Sequence, residues 1–356
     1  MKKIGILTFH RAINYGGVLQ NFSLQKKLID LGYEVETIDF YSKPVYDIYN
    51  TFYIGKFNLI KTPLRFVVNL FNYRNNKRIK IKFNDFIKNN IRISKQYDKN
   101  NIKNIQKKYE YIISGSDQVW NKDITKDDYN VFDLSLFDSN KKIAYAASIG
   151  KDNISSTEMN YYCELIKNYK KVSVREKSFA LKLGTSVSAV LDPVFFHTKD
   201  EWIKSLSLNS NKNEEYIFVF SLERTKQISK IIKEISKKYK VIYYSKVPMF
   251  DKNVTCQFDM SPQEFLESIL NAKIVITNSF HCLAFSIIFN KKFAAILHTN
   301  KGSRQKDLLN LVGLEDRIYN NNLSELINND INYKKINSII NDKMKKSEHF
   351  LIESLK

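Results

Sequence analysis

Cysteine is scarce in this chain: Cys163, Cys256 and Cys282 are widely spaced among 356 residues and form no CxxC pair. That pattern excludes a disulfide framework or a zinc ribbon and fits a reducing compartment. No apolar run approaches the length of a membrane span. The six largely apolar residues after Met1-Lys2-Lys3 are too few for the core of a signal peptide. A cytoplasmic location is expected. The five histidines lack HxxxH spacing and no DxD pair occurs, so neither a metal nor another cofactor is expected. GxGxxG and Walker motifs are missing too, which leaves dinucleotide or NTP binding without support.

Acidic residues nearly vanish between Lys56 and Lys108, where fifteen Lys and Arg face only Asp85 and Asp98; the whole chain carries a formal charge of +20. Three readings stand for this stretch. Cations interleaved with Phe and Tyr suit nucleic acid, but no nucleic-acid motif accompanies them, and no such partner is expected. The apolar residues from Phe57 to Phe71, flanked by cations, suit an anionic membrane surface. That makes 53–92 a candidate peripheral contact at the inner face of the cell membrane. A solvated helical face is the third reading.

A hydrophobic content of 43% is enough for a real core, and the length suits two domains. Residues 4–8 read as a buried strand, a polar turn runs from His10 to Gly17, a helix from about Val18 to Leu31, and a strand from Glu34 to Asp39. This βαβ unit sets the class as α/β. Helical period is clearest at 77–91. Further strands are expected at 111–114, 143–148, 171–174 and 187–191. After the polar tract 205–215 come strands at 216–220, 241–244, 273–277 and 293–297. The pattern favours two Rossmann-like domains facing a cleft. The expected boundaries are 1–204, with a basic helical insertion at about 53–108, then 214–340 and a terminal helix at 341–356.

Candidate site residues cluster after strands, where open α/β sheets bind ligands and helix N-termini offer free N–H groups. After the first strand come Asn14, Tyr15, Gly16 and Gly17, either a ligand-approaching loop or a tight turn that needs glycine. Ser116, Asp117, Gln118 and Trp120 follow the 111–114 strand. Their polar side chains can fix sugar hydroxyls, Asp117 can accept a hydroxyl proton, and Trp120 can stack on a sugar or fill the core. Arg175 stands just beyond a strand, suited to a carboxylate or phosphate or to an ion pair with a nearby acid. Ile274 to Thr277 is a buried strand that runs into Ser279, Phe280 and His281. His281 is the candidate acid, or else a satisfied polar residue. Ser303 and Arg304 open a helix and can hold an anionic group. Cys282, beside His281, points elsewhere on the helix and is no nucleophile.

In order along the chain, Asn14-Tyr15-Gly16-Gly17, Ser114-Gly115-Ser116-Asp117-Gln118-Val119-Trp120, Ala146-Ala147-Ser148-Ile149-Gly150, Ser173-Val174-Arg175-Glu176, Asp192-Pro193, Thr277-Asn278-Ser279-Phe280-His281 and Ser303-Arg304 resemble the polysaccharide pyruvyl transferase family. The resemblance implies a GT-B-like fold. It implies transfer of pyruvate from phosphoenolpyruvate onto two hydroxyls of a sugar in a surface polysaccharide or its lipid-linked precursor, giving a ketal and phosphate. It also implies a histidine at His281 and an arginine at Arg175. Family members carry an arginine two residues before that histidine, where this chain has Ser279. A glycosyltransferase using a nucleotide sugar, or a non-catalytic sugar- or anion-binding homologue, are the alternatives.

Overall fold

The computed structural model describes residues 2–49, 72–151, 153–210, 215–223, 225–245, 249, 251–299 and 302–356. Two parallel sheets organise them. The first has seven strands: β1 (Lys3–Leu7), β2 (Glu34–Phe40), β3 (Ile93–Tyr97), β4 (Tyr111–Ser114), β5 (Lys142–Ala147), β6 (Lys171–Val174) and β7 (Ser188–Ala189), in the spatial order β3-β2-β1-β4-β5-β6-β7. The second has β8 (Tyr216–Phe220), β9 (Lys240–Tyr244), β10 (Val254–Gln257), β11 (Ile274–Thr277) and β12 (Lys292–Ala295), in the order β10-β9-β8-β11-β12. Helices of seven or more residues are α1 (Tyr15–Asp30), α2 (Lys43–Tyr49), α3 (Tyr73–Asn90), α4 (Ser156–Ile166), α5 (Lys177–Leu183), α6 (Lys199–Leu206), α7 (Lys226–Ile235), α8 (Pro262–Leu270), α9 (Phe280–Ile288), α10 (Ser303–Val312) and α11 (Tyr333–Ser354). The α/β, GT-B-like class expected from the sequence is the one found.

Contacts divide the chain into two compact units: Met1–Tyr53, Asn84–Phe196 and Ile340–Lys356 in one, and Ile54–Phe83 with His197–Ile339 in the other. The division falls at 196, not 204, because α6 belongs to the second unit. Its Trp202 is fully buried, with its ring 5.0 Å from that of Phe285 on α9. The chain's end returns to the first unit, where Leu351 and Leu355 pack with Ile4, Leu24 and Leu28.

In the second unit β8 is buried throughout, as a strand covered on both faces must be. Ile217 and Val219 meet Ile228, Ile231, Ile232 and Ile235, which recur at helical spacing on α7. Phe220, on the opposite face, lies 4.9 Å from the Phe265 ring of α8. A complete capping box, Ser261 with Glu264, and Pro262 in the first turn fix the start of α8.

Two elements depart from the sequence reading. The stretch expected as a helical insertion lies partly outside the described residues, and the apolar part at 57–71 lies wholly outside them. Within the described residues it gives α3 and then strand β3. Gln25 explains that strand: its amide accepts from Arg92 N at 2.7 Å and donates to Arg92 O at 2.9 Å, so α1 ties the entry of β3 beside β2. The helix expected from Val18 starts at Tyr15, so Tyr15, Gly16 and Gly17 form its first turn.

Candidate functional site

Each sheet has one place where the order of connection reverses, so the loops leaving two adjacent strands diverge and open a crevice at the carboxyl edge. In the first unit that place lies between β1 and β4, and in the second between β8 and β11.

At the first switch point the loop after β1 brings Asn14 to the N-cap of α1, and the loop after β4 brings Asp117. Asn14 Nδ2 donates to Asp117 Oδ2 at 3.0 Å, and the Asn14 side chain makes no cap bond. Gly17 allows this approach, since a Cβ there would lie 2.9 Å from Asp117 Oδ2 and the carboxylate would have to shift. The carboxylate thus rests against the first turn of α1, where the helix dipole favours negative charge. Asp117 itself has φ of 77°, a left-handed conformation uncommon for a side-chain-bearing residue. It is fixed there by a bridge to Ala147 and by Ser148 N donating to its carbonyl at 3.1 Å. A bulge in β5, with Ala146 at φ 51°, turns that strand far enough to make the bridge. Such strain is kept where surrounding contacts enforce it.

The neighbouring polar residues interlock. Ser116 Oγ donates to Asp192 Oδ2 at 3.0 Å, and Arg175 Nη1 pairs with the same oxygen at 2.6 Å. The ion-pair alternative for Arg175 therefore holds: its guanidinium is buried against Asp192. Burial opposes that charge, but the carboxylates of Asp192, Glu176 and Asp117 outweigh it and raise the group above its usual pKa. Ser148 Oγ and Gly150 N both donate to Glu176 Oε1. Gly150 has φ of 60°, and a Cβ on it would collide with Gln118 Oε1 at 2.2 Å. Trp120 corrects the sugar-stacking expectation. It is 2% exposed, its ring lies parallel to Tyr162 at 5.8 Å, and it fills the core.

At the second switch point Thr277 ends β11 with its hydroxyl donating to Phe220 O of β8. Asn278 Oδ1 accepts from Leu222 N at 2.7 Å, tying the two loops. Ser279 caps α9 by accepting from Cys282 N, so its hydroxyl has a structural task. His281 sits in the first turn of α9, 7% exposed, with its ring perpendicular to that of Phe280 at 5.1 Å. Beyond the adjacent β12, Ser303 and Arg304 begin α10, both half-buried. The structure thus brings Asn14, Gly17 and Asp117 together at one edge, and places His281 and the start of α10 beyond neighbouring strands at the other.

The sequence reading missed Glu176 and Ser148 as a bonded pair, and missed Glu223 and His298 in the second unit. Asn278 was noted only as part of a polar run. A polar residue directly after an apolar strand was the available signal for all but Glu223 and His298. Among the described residues no group of three or more His, Cys, Asp or Glu could hold a metal ion. Nor is any helix among them long and apolar enough to cross a membrane.

The family model for polysaccharide pyruvyl transferase matches residues 14–300. No curated protein matches the sequence. Among solved structures, a putative UDP-N-acetylglucosamine 2-epimerase from Listeria monocytogenes is similar with a TM-score of 0.53 at 8% identity, covering 96% of this chain and 90% of that one. MnaA of S. aureus with UDP gives 0.53 at 12% identity, covering 96% and 91%. UGT89C1 of Arabidopsis thaliana complexed with UDP gives 0.51 at 10% identity, covering 99% of each. At these identities the likeness is one of fold.

Proposed function

The chain belongs to the polysaccharide pyruvyl transferase family, and from that premise we propose that it transfers the pyruvyl group of phosphoenolpyruvate to two hydroxyls of one sugar. The acceptor in this reading is a saccharide of a bacterial surface polysaccharide, carried on its lipid-linked precursor at the inner face of the membrane. The observation that carries the proposal is that Asp117 and His281 each occupy the switch point of their own sheet, beside the first turn of a helix.

The chemistry asks for few groups. An acid protonates the methylene carbon of the enol phosphate, which leaves oxocarbenium character at C2. A sugar hydroxyl attacks C2 and loses its proton. Phosphate departs with the C2–O bond pair, and the second hydroxyl closes the ring, losing its own proton. One proton is gained at carbon and two are lost from hydroxyls, so one leaves with phosphate. We assign the carbon protonation to His281 and the first hydroxyl proton to Asp117, with Asn14 orienting that carboxylate. Arg304, Ser303 and the N–H groups of α9 and α10 suit the donor's anionic groups. Arg175 acts through the buried cluster it organises, holding Asp192 and Ser116 behind Asp117.

For membrane contact the described part of 53–92 is α3. Arg74, Lys77, Lys80 and Lys88 are exposed on it. Arg78 and Lys82 pair with Asp259 at 2.6 Å and Glu264 at 2.8 Å. Arg74, Lys77 and Lys88 are the cations we assign to anionic lipid.

The test is phosphate release from phosphoenolpyruvate by the full chain. It is expected only with a saccharide acceptor, and to be lost in His281→Ala. Release without acceptor, or full activity in that variant, contradicts the proposal. UDP appears with two of the similar folds, and tight UDP binding without any response to phosphoenolpyruvate would instead support a glycosyltransferase.

A further inference from the structure

The carboxyl edge of the second sheet holds a second histidine for which the assignment above has no task. His298 lies three residues beyond β12, and its Nδ1 is 3.5 Å from Glu223 Oε2, on the loop after β8. Glu223 is itself held in place. Thr299 N donates to its Oε2 at 3.2 Å and Thr299 Oγ1 to its Oε1. The loop that carries it is anchored through Leu222 N to Asn278 Oδ1. On the other side His298 N donates to Gln305 Oε1 of α10 at 3.0 Å, and a Cβ on Gly302 would touch the His298 carbonyl at 3.0 Å. Loops from three adjacent strands, β8, β11 and β12, thereby fix one imidazole beside one carboxylate. The two side chains keep 16% and 26% of their surface, so the pair is reachable from solvent.

We propose that His298 is a second proton-transfer group, serving the departing phosphate, with Glu223 as its positioning residue. A carboxylate 3.5 Å from Nδ1 favours a proton on that nitrogen, which leaves Nε2 as the exchanging one, and steadies the ring when both nitrogens carry protons. The assignment rests on the pyruvyl-transfer reading and supplies what that sequence of steps still lacks. His281 has given its proton to carbon by the time phosphate leaves. His298 Nε2–H then protonates the phosphate oxygen as the C2–O bond breaks and its electron pair goes to that oxygen. The second hydroxyl attacks C2 and returns its proton to His298, while Asp117 loses the first hydroxyl's proton to solvent and His281 regains one from it, which closes the balance.

The experiment compares the full chain with His298→Gln, Glu223→Gln and His281→Ala in D2O, with phosphoenolpyruvate and acceptor. Phosphate release and deuterium in the phosphoenolpyruvate methylene are followed together. In His298→Gln, release is expected to fall about 100-fold, with KM for phosphoenolpyruvate little changed. Deuterium still enters the methylene, because reversible protonation by His281 is intact. His281→Ala is expected to lose both signals. Glu223→Gln, which keeps the side-chain shape, is expected to lower kcat at constant KM by less than His298→Gln does. Undiminished release in His298→Gln, or loss of exchange and release together in both substituted forms of the pair, overturns the assignment while leaving the pyruvyl-transfer reading standing. If the unsubstituted chain neither exchanges nor releases phosphate, that reading falls and takes the assignment with it.

Discussion

Asn14 stands at the N-cap of α1, yet its amide serves Asp117, 103 residues away, and leaves the helix uncapped by its side chain. Ordinary capping stabilises by about 1 kcal/mol, so the position is given to the site. Asn14→Ala should therefore cost little as a cap. It leaves the buried carboxylate short of a donor, which costs about 1–3 kcal/mol. Phosphate release should fall with it. An unchanged rate in a folded variant would show that the Asn14–Asp117 bond has no bearing on turnover.

Gly17→Ala tests the same contact from the other side. Alanine is normally favoured over glycine inside a helix by about 1 kcal/mol. Here the added methyl meets Asp117 Oδ2 at 2.9 Å, so the carboxylate must move. Steady-state kinetics should show reduced kcat even where thermal unfolding shows no loss of stability. A variant as active as the parent would mean that Asp117 tolerates displacement.

Gly150→Ala should be destabilising by roughly 2–4 kcal/mol, from the left-handed backbone and the collision with Gln118 together. Urea unfolding reads this directly as a lower midpoint at an unchanged slope.

Acid should weaken the first unit in a defined way. His10 and Arg11 bond Asp39, and although burial pushes the other way, they hold its carboxyl well below the usual carboxylate range. A group whose pKa is lowered by folding stabilises above its unfolded value, near 4, and loses that contribution as pH falls through the folded value. The stability of the parent should thus decline on acidification below about pH 4, and Asp39→Asn should flatten that decline. Parallel curves for the two proteins would contradict the account.

Burial pushes the Cys282 thiol up to about 12, so almost no thiolate exists at neutral pH. Alkylation of the native chain should reach Cys163 and Cys256, which are partly exposed, and spare Cys282 until unfolding. Labelling of Cys282 in the native state, read by peptide mass, would show that α9 opens.

The strands were legible because those buried on both faces are written as short apolar runs, as in Tyr216–Phe220 and Ile274–Thr277. β3 and β10 were not. They are outer strands of their sheets, with exposed or half-buried polar positions such as Lys95, Gln96 and Thr255, and no apolar run marks them. The start of α1 was hidden by its two glycines, of which Gly17 accommodates the approach of Asp117. Of the site, the polar residues after β4 and β11 were readable from position alone. Which of them touch was not, because Asp117 and Asn14, or Arg175 and Asp192, meet only through the order of strands in the sheet. Trp120 misled for a related reason: a tryptophan after a strand can turn outward or inward, and Tyr162, from a distant helix, decides it.

The most direct measurement is the isotopic content of the product methyl group. The protein is incubated in D2O with phosphoenolpyruvate and the lipid-linked saccharides of the cells that make it, and the product is read by mass and NMR. The account predicts a pyruvate ketal whose methyl group carries solvent deuterium, formed with one phosphate per ketal and missing in His281→Ala. A ketal methyl free of deuterium, or the same labelled ketal from His281→Ala, would contradict it.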